Sequence, residues 1–170
     1  MYISTKGRYA LRVLVDLAES GNGRLVPLSE IAERQEISLK YLERIMPLLT
    51  KAGLGNVVSG KKGGYSLTKK PSEYNAGDVL RLTEGTLAPV SCLVCNSEPC
   101  LRKDKCKTVA LWSSLENKVN SFLDSVIIED IINKNYYNLN IVKNRINSLE
   151  TSIENNGSLP LAVRNILNNL

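Results

Sequence analysis

The sequence predicts a mainly α-helical fold with one small β-hairpin, and three observations support it. Apolar residues recur at helical spacing in three short stretches before residue 54. Two β-like runs then flank a glycine-containing linker at 60–63. A longer helical pattern follows a loop that contains all four cysteines of the 170-residue chain. Three helices and then a hairpin is the element order of a winged helix-turn-helix domain, to which the later helix is appended.

The first helix is predicted over 4–21 and the second over about 28–35, each with its apolar residues on one face. Ser38 is a candidate cap for a third helix, predicted over 39–53. Pro47 lies inside this third helix and has no N–H to donate to the carbonyl four residues earlier. We therefore expect a kink there, or a short second segment.

The remaining elements are two strands at 54–59 and 64–67, a short helix over 75–85 and a long helix over about 108–133. The long helix has a heptad-like apolar seam with more apolar residues beside it, which favours packing both on its own domain and on a second copy. The seam residues are Trp112, Leu115, Val119, Phe122 and Val126. One more helix is expected over 139–153.

These elements predict four regions: a winged helix-turn-helix domain over 1–70, a short helix with a cysteine-rich loop over 71–107, a dimerisation helix over 108–133, and an asparagine-rich, partly helical extension over 134–170. No apolar run approaches the ~20 residues of a membrane span, and no amino-terminal apolar segment resembles a signal peptide. We therefore expect a cytoplasmic protein without a membrane partner.

The net charge of +5 is concentrated in one part of the chain. Residues 40–70 hold seven basic residues and one acidic residue, a net of +6, whereas 1–39 sum to zero and 71–170 to −1. This positive region covers the third helix and the hairpin, which favours double-stranded DNA as the partner. The absence of histidine, of a P-loop and of a dinucleotide-binding glycine pattern argues against an enzyme.

The residues predicted to contact DNA lie on the third helix, the hairpin tip and the start of the first helix. The amino-terminal turn of a recognition helix contacts base edges, and the candidates there are Ser38, Lys40, Tyr41, Glu43 and Arg44. Lys61 and Lys62 at the hairpin tip are predicted to contact a minor groove or phosphates, and Lys6 and Arg8 to contact backbone phosphates. Core packing is the alternative for Tyr41, and a solvated helix end is the alternative for Lys6 and Arg8.

The four cysteines lie within 15 residues, with the spacing Cys92-x2-Cys95-x4-Cys100-x5-Cys106. Clustered thiols in a reducing compartment bind metal more often than they form disulfides. The cluster predicts an iron–sulfur site or a tetrahedral zinc site. Redox-active thiols and incidental apolar thiols are the alternatives.

Several motifs occur in a fixed order: Ser-Thr-Lys-Gly-Arg-Tyr-Ala at 4–10, Pro-Leu-Ser-Glu-Ile-Ala at 27–32, Ile-Ser-Leu-Lys-Tyr-Leu-Glu at 37–43, Lys-Ala-Gly-Leu at 51–54, Gly-Gly-Tyr-Ser-Leu at 63–67, and the run from Cys92 to Trp112. Together they resemble the IscR/NsrR/CymR family of bacterial winged-helix transcription regulators, and most closely its iron–sulfur IscR-like branch. The likeness covers about residues 1–132.

The resemblance implies a homodimer formed through the long helix, with an iron–sulfur cluster of the 2Fe-2S type in the cysteine loop. The positions that match the family's three cysteine ligands are Cys92, Cys100 and Cys106. Where some relatives have a histidine ligand, this chain has Val109. Others use an acidic ligand from the first helix of the partner subunit, and the matching position in this chain is Arg8. Cys95 is therefore the candidate fourth ligand, and the alternative is three cysteines with an unidentified oxygen donor.

For DNA recognition, the resemblance places Ser38, Lys40 and Glu43 where the family's recognition helix meets bases. Ser59 occupies a wing position at which relatives often insert an arginine into the minor groove, which shifts that contact to Lys61 and Lys62.

The leading hypothesis is a dimeric DNA-binding regulator, such as a repressor, that senses iron–sulfur, redox or nitric oxide status through its cluster. One alternative keeps DNA binding but places structural zinc or a thiol switch in the cysteine loop. Another is a regulator that works through a metabolic enzyme as its partner.

Overall fold

The computed structural model describes residues 2–21, 23–94 and 100–134 of the chain. Its strands are β1 (Gly55–Val58) and β2 (Gly64–Leu67). Its helices are α1 (Thr5–Gly21), α2 (Leu28–Gln35), α3 (Leu39–Lys51), α4 (Ala76–Glu84), α5 (Val109–Ser125) and α6 (Ile128–Ile132). Short 3-10 turns lie at 71–73, 91–93 and 103–105. A mainly helical chain with one antiparallel hairpin confirms the predicted fold class.

Helix α1 forms the centre of the core, because α2, α3, α4, α6 and β2 all pack against it. Four of its apolar residues follow the spacing of one helix face and are almost fully buried: Ala10, Val13, Leu14 and Leu17. They share one hydrophobic cluster with Ile31 of α2 and with Leu42 and Ile45 of α3. The pair α2–α3 is therefore held on α1, and the outer face of α3 is left exposed.

A buried ion pair fixes α2 against α1. Asp16 is only 2% exposed, and the Arg34 guanidinium donates to both of its carboxylate oxygens, from Nη2 to Oδ1 at 2.7 Å and from Nε to Oδ2 at 3.0 Å. The side-chain amide of Gln35 also donates to Oδ2, at 2.9 Å. The hydrogen bond to Asp16 is the main reason why the pKa of Arg34 is raised. These bonds offset the cost of burying the carboxylate and set the orientation of α2.

The hairpin is tied to the loop that precedes α2. Strands β1 and β2 pair antiparallel, and Val26 adds an isolated bridge to Tyr65, with backbone N–H···O bonds of 2.8 Å in both directions. A side chain at Gly64 would meet the carbonyl oxygen of Val26 at 2.7 Å. Glycine at this position therefore permits the close approach of the Val26 segment.

The prediction of a single helix over 108–133 is wrong, because the chain forms two helices in this range. Helix α5 ends at Ser125, Val126 is extended (φ −91°, ψ 113°), and α6 begins at Ile128. The chain leaves the helix to pair with the segment before α4: Ala76 N–H donates to the Val126 carbonyl at 2.8 Å, and Ile128 N–H to the Tyr74 carbonyl at 2.9 Å. Val126 is buried in this pairing, so it does not extend the exposed seam of α5.

Helix α3 runs through Pro47 as one element, so the expected second segment does not form. Pro47 and Glu43 are both exposed, so the Glu43 carbonyl that loses its helical partner lies where water can bind it. The helix expected over 139–153 lies outside the described residues. No helix in the described part of the chain is long and apolar enough to span a bilayer.

Candidate nucleic-acid interface and cysteine loop

Helix α3 separates a buried apolar face from an exposed polar one. The buried residues are Leu42, Ile45, Met46 and Leu49. Ser38 caps the helix as predicted, since its Oγ accepts the N–H of Tyr41 at 3.3 Å. The exposed residues predicted to contact DNA are Ser38, Lys40, Glu43 and Arg44. One end of the helix thus presents a hydroxyl, two cations and a carboxylate to the solvent.

The turn between α2 and α3 is held in shape by α1. Glu36 adopts the left-handed conformation (φ 52°, ψ 41°), and its N–H closes α2 on the carbonyls of Ala32 and Glu33. Arg12 of α1 donates from Nε to Gln35 Oε1 at 3.0 Å and from Nη2 to the Gln35 carbonyl. The contact between Arg12 and Gln35 could not be predicted from the sequence, because the two residues are 23 positions apart and no local pattern links them.

Tyr41 packs against α1. Its ring meets that of Tyr9 edge to face, with centroids 5.4 Å apart and planes at 78°. The Arg12 guanidinium lies 5.3 Å from the centroid of the Tyr9 ring. Tyr41 is partly buried against the core, which supports the packing alternative, and its contact with DNA stays a prediction. The Tyr9-x2-Arg12 spacing on one helix face is the sequence signal that could have identified this group.

The hairpin tip carries Ser59, Lys61 and Lys62, and all three are exposed. Gly60 has φ +117°, and the N–H of Gly63 donates to its carbonyl at 2.9 Å, which closes the tip. Two ammonium groups therefore extend from a tight turn into the solvent.

Lys6 and Arg8 lie in the first turn of α1. Arg8 is exposed and donates from Nη2 to Thr5 Oγ1 at 3.1 Å, whereas Lys6 is partly buried. Arg8 lies one helical turn before Arg12, on the side of α1 that faces the start of α3. This position suits Arg8 better than Lys6 for a phosphate beside α3, and both contacts stay predictions.

The described part of the cysteine loop holds three free thiols. Cys92 and Cys100 are exposed, and Cys106 is partly buried just before α5. Cys106 Sγ lies 3.4 Å from Thr108 Oγ1. Hydrogen bonds from the side chain and then the backbone of Thr108 lower the pKa of Cys106, which favours the thiolate that binds metal. Cys95 lies outside the described residues.

The donors in this loop fit an iron–sulfur cluster or zinc in their chemistry, since all are thiols and one is stabilised as a thiolate. Within residues 2–21, 23–94 and 100–134, no three metal-ligating side chains already converge. Val109 and Arg8 offer no ligand atoms. For one metal or cluster to be bound by several of these thiols, the thiols must therefore move together when it binds.

Helix α5 carries an exposed apolar face. Three apolar residues on this face are 58%, 42% and 44% exposed: Leu111, Leu115 and Phe122, respectively. Their spacing of four and seven residues places them along one side of the helix. A groove of about 380 Å³ opens beside this face, lined by Ile3, Leu80, Lys118, Val119, Phe122 and Leu123. Apolar area of this kind is typical of a protein–protein contact.

A cluster of charges anchors α5 to α4. Arg81 donates to Asp78 Oδ1 at 3.0 Å, to Asn120 Oδ1 at 3.0 Å and to Asp124. Burial raises the pKa of Asp124, although Arg81 acts to lower it. Burial opposes the charge on Arg81, but Asp124 and Asp78 more than offset this and raise the pKa of Arg81. Movement of α5 relative to α4 would break this partly buried network.

Comparisons with known proteins identify related chains. The sequence pattern of the family described as "Rrf2: Iron-dependent Transcriptional regulator" matches residues 3–134. The HTH-type transcriptional regulator IscR of Photorhabdus laumondii is 38% identical over 133 residues, which cover 78% of this chain and 80% of that protein. IscR of Escherichia coli is 36% identical over 133 residues, which cover 78% and 81% of the two chains.

Solved structures agree with the sequence matches. CymR, the global cysteine regulator of B. subtilis, has a TM-score of 0.64 and 34% identity over 79% of this chain and 98% of that chain. IscR of T. potens has a TM-score of 0.62 and 30% identity over 79% and 88% of the two chains. These relatives confirm the winged-helix fold, the predicted family resemblance and the expectation that the chain is not an enzyme. The chain belongs to the Rrf2 family of transcriptional regulators.

Proposed function

We propose that this chain is a homodimeric transcription regulator whose DNA binding responds to an iron–sulfur cluster held by the cysteine loop. The observation that carries the proposal is the position of Cys106, whose thiolate is stabilised by Thr108 immediately before α5. Helix α5 is also the helix with the exposed apolar face. A group bound at this thiol therefore acts next to the surface through which two copies would meet.

The DNA contact uses the exposed end of α3 and the hairpin tip. Lys40, Arg44, Lys61 and Lys62 supply positive charge for phosphates and base edges, and Glu43 accepts from a cytosine amino group. Two such surfaces in a dimer match two half-sites of an operator, and the distance between them sets which half-site spacing is bound.

The dimer contact uses α5. Burying Leu111, Leu115 and Phe122 against the same residues of a second copy removes apolar surface from water, and the groove beside Phe122 accepts side chains of that copy. Because Arg81 and Asp124 anchor α5 to α4, a shift of α5 is passed to the domain that carries α3.

Cys92, Cys100 and Cys106 would hold the cluster, with Cys95 as the candidate fourth ligand. When bound, the cluster supplies a centre that changes oxidation state or is lost on oxidation or reaction with nitric oxide. The contact with Thr108 lowers the pKa of the Cys106 thiol, which favours the thiolate that a cluster needs as its ligand. Binding one cluster through the three sulfurs would close the loop around it. Such closure would displace the start of α5 and so would change the separation of the two DNA-contacting surfaces and the affinity for an operator.

Anaerobic purification tests the cluster directly. We expect a coloured protein with visible absorption, and iron and sulfide in equal amounts. A colourless protein with stoichiometric zinc would reject the cluster and support the structural zinc alternative. Gel shifts with DNA fragments, before and after air oxidation, then measure whether binding follows cluster content.

Cys95→Ala tests whether Cys95 is the fourth ligand of the proposed cluster. If Cys95 is a ligand, the variant binds a cluster with an altered spectrum and a shorter lifetime in air. Cys106→Ala is the matched variant and should abolish the cluster. An unchanged spectrum and lifetime in Cys95→Ala would assign the fourth position to a different donor.

A thiol switch is the second candidate, and the lowered pKa of Cys106 favours it because thiolates react with oxidants. The solved relatives include a Staphylococcus aureus CymR in an oxidized form, at 36% identity and a TM-score of 0.59. Mass measurement after mild peroxide treatment of the metal-free protein would show a disulfide or sulfenic acid at these cysteines. An enzyme partner stays a prediction from the family resemblance alone.

A further inference from the structure

A buried tyrosine hydroxyl joins the hairpin to the rest of the DNA-binding domain. Tyr74 is 2% exposed and lies between the hairpin and α4. Its hydroxyl oxygen accepts the backbone N–H groups of Thr68 at 2.9 Å and of Lys69 at 2.8 Å. Thr68 and Lys69 directly follow β2, so the bonds hold the point where the chain leaves the hairpin.

The hydroxyl of Thr68 extends this link to the end of α3. Thr68 Oγ1 donates to the carbonyl of Gly53 at 2.6 Å, in the turn that follows α3. Because Thr68 uses its one hydroxyl proton there, the Tyr74 hydroxyl must be the donor across the 3.1 Å that separates it from Thr68 Oγ1. The Tyr74 hydroxyl thus accepts two hydrogen bonds and donates one.

The backbone of Tyr74 is bonded to a third part of the molecule. Its carbonyl accepts the N–H of Ile128 at 2.9 Å, and the N–H of Ala76 donates to the Val126 carbonyl at 2.8 Å. Residues 126–128 connect α5 to α6. One residue therefore links the hairpin, the end of α3 and the end of α5.

We propose that Tyr74 is a positioning residue for DNA binding: its hydroxyl fixes the angle of the hairpin relative to α3 and so brings Lys61 and Lys62 to the DNA backbone. A hairpin of two four-residue strands is too small to hold a direction by itself. The inference rests on the DNA contacts proposed above for Lys61 and Lys62.

Tyr74→Phe is the informative variant, because it removes the three hydrogen bonds of the hydroxyl and keeps the ring in the core. Tyr65→Phe is the matched control: Tyr65 lies on β2 and packs on the same core, and its hydroxyl makes no hydrogen bond to the described residues. Thr68→Val is a second variant that removes only the hydroxyl connection between Tyr74 and Gly53.

The measurement is fluorescence anisotropy of a labelled, mixed-sequence DNA duplex over a range of salt concentrations, with the full chain. The set comprises the wild-type chain, the three variants, and each of them combined with Lys61→Ala and Lys62→Ala. We expect the two lysine substitutions to reduce the salt slope of the wild-type chain by about 2, since each phosphate contact contributes about 0.9. Tyr74→Phe should weaken binding by about three- to tenfold, and Tyr65→Phe should leave it unchanged.

The decisive result is how the effects combine. If Tyr74 acts through the hairpin lysines, adding Tyr74→Phe to the two lysine substitutions weakens binding by less than about twofold. Alternatively, the lysine substitutions reduce the salt slope, but Tyr74→Phe weakens binding by the same factor with or without them. That result would overturn the inference and leave the proposed DNA contacts in place. If the lysine substitutions leave the salt slope unchanged, those contacts fail and the inference fails with them.

Amide hydrogen exchange provides a readout that does not depend on DNA. In Tyr74→Phe, the amides of Thr68 and Lys69 should exchange faster while the amides of the β1–β2 ladder keep their protection. Unchanged exchange at both amides would overturn the inference. Thr68→Val should weaken DNA binding by a smaller factor than Tyr74→Phe, and this loss should also disappear when Lys61 and Lys62 are replaced by alanine. This second variant keeps the test decisive if Tyr74→Phe folds poorly.

Discussion

The DNA-binding half and the cysteine loop differ in how much of their geometry the chain itself supplies. In the first, Asp16 is paired on both oxygens, Arg12 holds the turn before α3, and Ser38 caps the helix. In the second, Cys92 and Cys100 are exposed and Leu101 is fully exposed. A surface that must match a rigid duplex is formed before binding, whereas the proposed cluster site would take its shape from the group that it binds. We therefore expect substitutions in the DNA-binding half to lower folding stability or DNA discrimination. Substitutions in the cysteine loop should instead reduce iron binding and leave the stability of the metal-free protein nearly unchanged.

The largest loss of folding stability is expected from Asp16→Ala, which removes the ion pair that holds α2 against α1 in the DNA-binding half. The variant leaves the Arg34 guanidinium without its main partner and opens a space between α1 and α2. We expect the free energy of unfolding to fall by about 2–3 kcal/mol, at the low end for a broken buried ion pair, because Arg34 is about one third exposed and can be rehydrated. Urea unfolding followed by circular dichroism measures it.

Glu30 offers the matched control, since it is also paired with Arg34, at 3.2 Å, but lies on the surface. Glu30→Ala should leave the unfolding midpoint nearly unchanged, because exposed ion pairs contribute little. Equal losses from the two substitutions would show that the buried bonds of Asp16 are not what orients α2.

A smaller effect is expected from Glu43→Ala, which tests whether the preformed surface discriminates between sequences. Glu43 is exposed on α3, and in the DNA contact proposed above its carboxylate would accept from a cytosine amino group in preference to other bases. The variant should lose about 1–2 kcal/mol of preference between the best and a mismatched site while its affinity for mixed-sequence DNA changes little. Selection of binding sites from a random duplex pool identifies the preferred site, and competition binding then gives the preference. A uniform loss across all sequences would contradict this role.

The smallest effect should come from the other region. Cys100→Ser in the metal-free protein should change the free energy of unfolding by less than about 0.5 kcal/mol, because the residue is exposed and makes no buried contact that the substitution removes. The same substitution should strongly reduce iron binding. Chemical unfolding of the wild-type chain and the variant, with and without iron and sulfide, measures both effects. A large loss of stability without metal would mean that the loop is also preformed.

Local signals were sufficient for most of the helices. Helix α2 has the predicted bounds, the third helix has the predicted cap at Ser38, and α4 lies within the predicted range of 75–85, with Asn75 as its cap and Gly85 at its end. These features depend on residues within a few positions of each other, which is the range over which caps and amphipathic spacing act.

The features that were missed depend on partners far along the chain. Val126, Ile127 and Ile128 fit a helical spacing as well as an extended one, and pairing with the segment that contains Tyr74 decides between them. The Val26 bridge involves a single residue pair, which is too short for a strand pattern. Arg12 was missed for the same reason, because its role is defined by Gln35 across the helix interface.

The single tryptophan of the chain, Trp112, lies one turn into α5 and six residues after Cys106. Its indole is partly exposed beside Leu111 and Leu115, so its emission should shift to the blue when a second copy covers this face. An iron–sulfur cluster in the adjoining loop should quench the same emission. Trp112 is therefore an intrinsic optical reporter for both proposals: in titrations of unlabelled chain, the emission wavelength would follow the proposed self-association and the intensity would follow the proposed cluster loading.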